Sequence, residues 1–229
     1  MKRKVYTVFR ILIFIAFVLN VVGIFFVSDD SQTSRFVFNA MQALLFLIVS
    51  LLPDYIEKKA NVEMSSLLSI MFIILLIGHF VLGEIAEFYV YVRGWDSLLH
   101  AFSGVILGIV AMAIVQYITQ DNKNVYLSPL FIVLFAVSFA VTIAVVWEII
   151  EYIIDGLFNS NMQRFKDSVT GEPFTGRAAL RDTMKDLILD MIGALGVAII
   201  GYLDIKRQNL KRWRLFEAKP NVHSLKIKK

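Results

Sequence analysis

The chain contains no cysteine among its 229 residues, which excludes disulfides and thiolate metal sites. Only four prolines interrupt it. No Walker loop, Ser-His-Asp order or nucleotide fingerprint stands out, so the common signatures of soluble catalysis are missing. Polar breaks are scarce as well: 58% of the residues are hydrophobic and the mean hydropathy is +0.69. A soluble domain is closer to half apolar. What the chain has instead is long apolar runs, and runs of about 18 or more residues read as spanning helices. Six are legible, at roughly 5–27, 35–53, 65–91, 97–119, 128–155 and 184–205. The expected fold is all-α, a polytopic membrane helix bundle with a single transmembrane domain over 1–205 and a basic tail over 206–229. The first run follows Met-Lys-Arg-Lys, yet it exceeds a signal-peptide core and lacks a clear small-x-small site before Ser28, so it reads as a retained anchor.

Lysine and arginine placement orients the spans. Lys2, Arg3, Lys4 and Arg10 mark the N-terminus, Lys58 and Lys59 the second connection, and Lys123 the fourth. The tail holds nine basic residues against the single acid Glu217. The 28–34 loop has no lysine or arginine, and the 92–96 turn has only Arg93. Both termini cytoplasmic, N-in/C-in, is the consistent solution. The tail is then either a topology determinant or a segment lying against anionic lipid. The net charge of +4 comes mostly from this tail, so a nucleic-acid partner is not inferred.

Ionisable residues in or beside the apolar runs are the main functional signal. They are His79, Glu84, Glu87, Asp96, His100, Glu148, Glu151, Asp155, Asp182, Asp186 and Asp190. Such groups are costly at membrane depth, where they face a cavity, a partner or an ion. With the topology above, four spans bring their acidic ends to the outer face. His79 is expected about one and a half α-turns below Glu84.

Spacings recur. Glu84-Ile-Ala-Glu87-Phe88 is echoed 64 residues later by Glu148-Ile-Ile-Glu151-Tyr152. Each is followed by a helix opening with an acid and a second ligand-type residue four positions on, Asp96/His100 and Asp186/Asp190. Spans 3–4 and 5–6 therefore form a candidate parallel repeat. Residues three or four apart share a helix face, so each pair can present two ligands inward. Helix bundles that bind two metals through carboxylates use this plan. The expected ligands are Asp96, His100, Glu148, Glu151, Asp186 and Asp190, with Glu84 and Glu87 as catalytic base or further ligands. Carboxylate-dominated ligands favour Mg²⁺, Mn²⁺ or Ca²⁺, and the histidine admits Zn²⁺ or iron. Arg93, Arg177, Arg181 or Lys185 could offset remaining charge. The competing readings are a proton or ion pathway and a purely structural network of carboxyls.

Weaker signals are structural first. Gly104 and Gly108 form a small-xxx-small pattern for close packing. Trp95, Trp147, Tyr89, Tyr91 and Tyr152 read as an interfacial aromatic belt. Asn20, Asn39 and Gln42 read as interhelical hydrogen bonds, and His223 as a solvated residue. The outer segment 156–183 is either a lid or a plain loop, with a turn-rich stretch from Gly171 to Gly176.

Three segments carry a resemblance: Trp95-Asp96-Ser-Leu-Leu-His100, Trp147-Glu148-Ile-Ile-Glu151-Tyr152, and Asp182-x3-Asp186-x3-Asp190 before Met-Ile-Gly-Ala. Together they resemble the YjdF-like family of bacterial inner-membrane proteins over roughly 75–205. The last helix also looks like that of VanZ-like proteins. The first aspartate spacing is one residue longer than the family pattern, which leaves the equivalence of Asp182 open. The histidine-rich element before span four is represented only by His79 and Glu84. The resemblance implies a multi-pass protein of the bacterial cytoplasmic (inner) membrane and brings no reaction with it.

The residues point to a metal-dependent membrane hydrolase or phosphotransferase acting on a lipid-linked substrate at the outer leaflet. The alternatives are a proton or divalent-cation transporter built on the same acids and a non-catalytic membrane accessory protein.

Overall fold

The structure is a computed structural model, and it describes residues 2–119, 127–167, 170–207, 213 and 215–218. The Lys123 loop and most of the basic tail, His223 included, lie outside the described residues. Among the described residues six helices are long and apolar enough to cross a membrane. They are built on α1 (Lys2–Ile24), α2 (Asp30–Lys59), α3 (Ser66–Leu76), α5 (Trp95–Thr119), α6 (Pro129–Phe158) and α7 (Arg181–Lys206). A short α4 (Phe88–Tyr91) lies between α3 and α5. The caps follow from sequence. Asp29, Ser65 and Ser128 each accept a hydrogen bond from an amide in the first turn of α2, α3 and α6, and Pro129 opens α6 where its missing N–H costs nothing.

The third span departs from the expected continuous helix over 65–91. After Leu76 the backbone widens into a π-helix, Ile77–Ile85, and Ala86 N–H bonds the Val81 carbonyl five residues back. Glu87 then takes a left-handed conformation, φ 55°, and ends the span. The widening changes which residues share a face. Residues five apart lie about 140° apart around an α-helix, but in an i→i+5 helix they are close to one turn apart. His79 and Glu84 consequently lie one above the other rather than one and a half turns apart, and Glu87 follows outside the helical repeat. The Trp95 indole N–H donates to the Gly78 carbonyl at 3.1 Å and tethers this segment to α5. No matching distortion occurs in α6, so the echoed spacing is not echoed in the backbone.

Packing centres on α5, α6 and α7. Glycines make the α5–α7 crossing close: a Cβ at Gly104 would lie 2.2 Å from the Asp190 carbonyl oxygen, and one at Gly193 would lie 2.6 Å from that of Ala101. Below this crossing Ala111, Met112, Val115, Ile132, Ala136, Val197 and Ala198 form an apolar core. α1 packs on α2, pinned by Arg10, which pairs with Asp54 at 2.6 Å. The outward sides of the helices expose large apolar residues such as Leu19, Ile48 and Ile192, as lipid contact requires.

At the end where the second connection and the tail meet, β1 (Val62–Met64) pairs antiparallel with β2 (Phe216–Ala218). Trp213 is buried there and donates from its indole N–H to Asp204 at 3.0 Å. The described part of the tail is therefore folded onto the bundle. By strict alternation of six spans, this end is opposite the acidic one.

The close crossing generates a test. Gly104→Ala forces backbone apart and should cost about 1–3 kcal/mol, read as thermal unfolding in detergent. Gly196→Ala, with open space at its Cβ, should cost nothing. Equal responses would show that the Gly104 contact does not limit packing.

Candidate metal centre

The sequence places an acid or histidine at successive turns of three helices, and the α5–α7 crossing converts that pattern into a cluster. Asp96 and His100 lie on the first turns of α5, Glu148 and Glu151 near the end of α6, and Asp186 and Asp190 near the start of α7. All six are buried. Two overlapping groups have ligand atoms within 4.8 Å of one another: Asp96, His100 and Asp186, and His100, Glu148 and Glu151. Five of the six expected ligands thus converge.

Asp190 stands apart from both groups. Its Oδ2 meets His100 Nδ1 at 2.8 Å, and its Oδ1 accepts from the Ser103 hydroxyl. It is only 1% exposed, with both oxygens engaged. This contact leaves Nε2 as the ring nitrogen open to the cluster, 3.7 Å from Asp96 Oδ1. A carboxylate behind a histidine in this way fixes its tautomer and orientation, as in many metal sites.

Several carboxylate oxygens in the cluster are under-supplied. Asp96 Oδ2, Glu148 Oε1 and Asp186 Oδ1 are buried with no hydrogen-bond donor. The nearest cations are only in ion-pair range: Arg164 Nε at 3.9 Å from Asp96 Oδ2, and Lys185 Nζ at 3.6 Å from Asp186 Oδ1. Buried acceptors without donors are costly. A divalent cation among them would meet that need, and the carboxylate and imidazole donors suit one chemically.

The 156–183 segment, named outer for the side on which the sequence is expected to place it, adds contacts that the sequence did not point out. Asp155 accepts from Ser160 Oγ, Met162 N–H and Gln163 N–H, which fastens the chain as it leaves α6. Gln163 then donates to Glu148 Oε2 at 3.3 Å and to Thr183 Oγ1 at 3.0 Å. Arg164, held in a left-handed conformation, reaches Asp96, Asp182 and the Tyr89 carbonyl. Among the expected counter-charges Lys185 pairs with Asp182 at 2.7 Å, whereas no ion pair of Arg93, Arg177 or Arg181 is found among the described residues. Beyond Arg164 the chain forms a small hairpin, with Phe174 N–H bonded to the Phe165 carbonyl and Asp167 N–H to that of Glu172. Residues 160–164 therefore cover the site, which a plain exposed loop would not do. Arg164 had no periodic signal to mark it, and only a cation count for the acidic end would have called for it.

Beside the cluster a cavity of about 460 Å³ opens between α2, the π-helix, α5, α6 and the outer segment. Glu84 and Glu87 both line it, and neither belongs to the two ligand groups. Glu87 pairs with Arg35 at 2.9 Å near the mouth. Gln42 and Asn39 line it too, Gln42 with its amide beside Glu84 of the third span, and Asn20 bonds its own helix at the Ala16 carbonyl. The aromatic belt divides. Tyr91 and Tyr152 are exposed, while Trp147 donates to Glu151 at 2.8 Å and Tyr89 contacts His79 Nδ1. Burial pushes the Tyr89 phenol well above its usual range, which keeps its O–H proton in place.

Residues 7–207 fit the model of a protein family described as "Predicted membrane protein (DUF2238)". That match includes the first two spans, which the motif resemblance over 75–205 did not reach. Comparison with curated proteins and with solved structures finds no match.

The Asp155 anchor can be tested without reference to metal. Asp155→Ala removes three hydrogen bonds that hold residues 160–163 and should destabilise the outer segment by about 1–3 kcal/mol. Limited proteolysis should then cut within 156–183 faster than in the wild type. An unchanged cleavage rate would mean that the segment is held elsewhere.

Proposed function

We propose that this chain, which belongs to the DUF2238 family of membrane proteins, is a metal-dependent hydrolase or phosphotransferase acting on a lipid-linked substrate at the outer membrane face. The YjdF-like character of its three motifs is part of this reading, as are a bacterial cytoplasmic membrane location, cytoplasmic termini, the division into a membrane domain over 1–205 and a tail over 206–229, and contact of the distal tail with anionic lipid. The observation that carries it is the meeting of Asp96, His100, Asp186, Glu148 and Glu151 around buried oxygens that lack donors.

In this reading His100 Nε2, Asp96 and Asp186 hold one divalent ion. Glu148 and Glu151 complete it or hold a second, since one free imidazole nitrogen serves a single ion. Asp190 orients His100 from behind, and Ser103 orients Asp190. The ion would polarise a phosphoryl oxygen and lower the pKa of a water beside it. Arg164 meets the negative charge of the phosphate from the outer segment, and Gln163 holds Glu148 in place. Glu87 is occupied by Arg35, and Glu84 faces the cavity from the opposite wall, where it meets substrate rather than metal.

A transporter using the same acids needs a polar route to the other end of the bundle. From Val105 to Val115 α5 carries no polar side chain, and the apolar core against α6 and α7 lies across that route. A site reached from one side suits an enzyme better.

Elemental analysis of protein purified in mild detergent tests the proposal. Wild-type protein should carry one or two divalent ions per chain, and Glu148→Gln/Asp186→Asn protein of equal stability should carry none. Asp190→Asn should retain the ion with about 10–100-fold weaker affinity. Absence of metal from the wild type after incubation with Mg²⁺, Mn²⁺, Ca²⁺ and Zn²⁺ would sink the reading.

A further inference from the structure

The cavity has a second polar wall that the metal centre does not use. Gln42 of α2 lines it, 2% exposed, and its Oε1 is buried with no hydrogen-bond partner. Its amide lies beside Glu84. A carboxylate accepts rather than donates, so Glu84 leaves Oε1 without a donor. Glu84 reaches the same wall because the π-helix turns it over His79. Single-turn π insertions in helices recur at functional sites.

The missing group is a donor, and its charge follows from its surroundings. Among the described residues no lysine or arginine is in ion-pair range of Glu84, in contrast to Glu87, which has Arg35. The cavity is lined by five acids and three bases. Trp147 and Phe46 line it beside Gln42 and Glu84, packed around His79 with ring centroids 5.7 and 6.1 Å away. Aromatic faces attract cations and give nothing comparable to a neutral hydroxyl. A lone buried carbonyl, a carboxylate without a counter-ion and aromatic walls together select a primary ammonium group.

We infer that Gln42 and Glu84 form a subsite for a primary ammonium on the substrate, which makes that substrate an aminophospholipid. Its ammonium lies against Gln42 Oε1 and Glu84 while its phosphate faces Arg164 and the metal centre. The phosphate half rests on the proposed function, and the ammonium half does not.

The test uses the full chain in detergent, tryptophan fluorescence and three probes: dihexanoyl phosphatidylethanolamine, dihexanoyl phosphatidylglycerol and free ethanolamine. The ethanolamine lipid should bind about tenfold or more tightly than the glycerol lipid. Gln42→Met and Glu84→Gln should each erase that preference while metal content stays at the wild-type level, which also reports folding. Free ethanolamine competing as strongly as the lipid would keep the ammonium and overturn the lipid. Equal binding of the two lipids by the wild type, or a preference that survives both substitutions, would overturn the subsite. Wild-type protein that lacks metal but keeps the preference would sink the metalloenzyme and leave the subsite standing.

Discussion

The close approach of α5 and α7 is the constraint on which the acidic end depends. Gly104 lies against the Asp190 backbone so tightly that a methyl group there has no room. That contact brings His100 and Ser103 to the two oxygens of Asp190, one helical turn or less from the crossing. Once Asp190 is anchored, Asp186 lies a turn further out on the same face, opposite Asp96. Small residues at a membrane helix interface commonly serve packing alone. Here the same residues also determine which nitrogen of His100 is free.

The electrostatics follow from that geometry. Asp96, Glu148, Glu151, Asp186 and Asp190 are buried together, and the described cations near them are Arg164 and Lys185. Both stand at ion-pair rather than hydrogen-bond distance from Asp96 and Asp186. Burial of several carboxylates around one histidine is unfavourable unless they are protonated or matched by cations. Structural carboxyl networks answer this with donors of their own, as Asp155 does with three. The central cluster lacks such donors at three of its oxygens. That contrast within one protein separates an anchoring carboxylate from those on which the proposed metal reading rests.

Much of this was legible in the sequence because membrane helices follow simple rules. Six apolar runs gave six helices, and i,i+4 spacing put Asp96 beside His100 as it put Asp186 beside Asp190. The small-xxx-small motif of Gly104 and Gly108 found its packing partner in α7. Illegible features were those set by backbone departures. Nothing in Ile77–Ile85 announces i→i+5 bonding, so the stacking of His79 and Glu84 is not legible, and Glu84 and Glu87 both reach the cavity without a continuous helix between them. Arg164 and Gln163 lie in a segment without period, and they reach the site only because Asp155 fastens the chain beside it. Trp213 and β2 join the bundle by tertiary pairing that a basic composition conceals.

α7 is held at both ends by polar contacts and in the middle by glycine packing. Asp204 receives the Trp213 indole at one end, Asp190 holds His100 near the other, and Gly193 and Gly104 cross between them. A helix so constrained is a fixed wall. The opposite wall has different character: a π-helix whose Gly78 carbonyl is taken by Trp95, a left-handed break at Glu87, and a mouth closed by the exposed Arg35–Glu87 pair. Exposed ion pairs are worth little and exchange readily with water, whereas separating Gly104 from Asp190 disturbs a packed core. Entry to the cavity is therefore cheapest past the Arg35–Glu87 pair, neither member of which belongs to the two ligand groups. In the proposed reading that arrangement keeps the ligand geometry rigid while the substrate side opens, which is the division of labour that chemistry at a preorganised site requires.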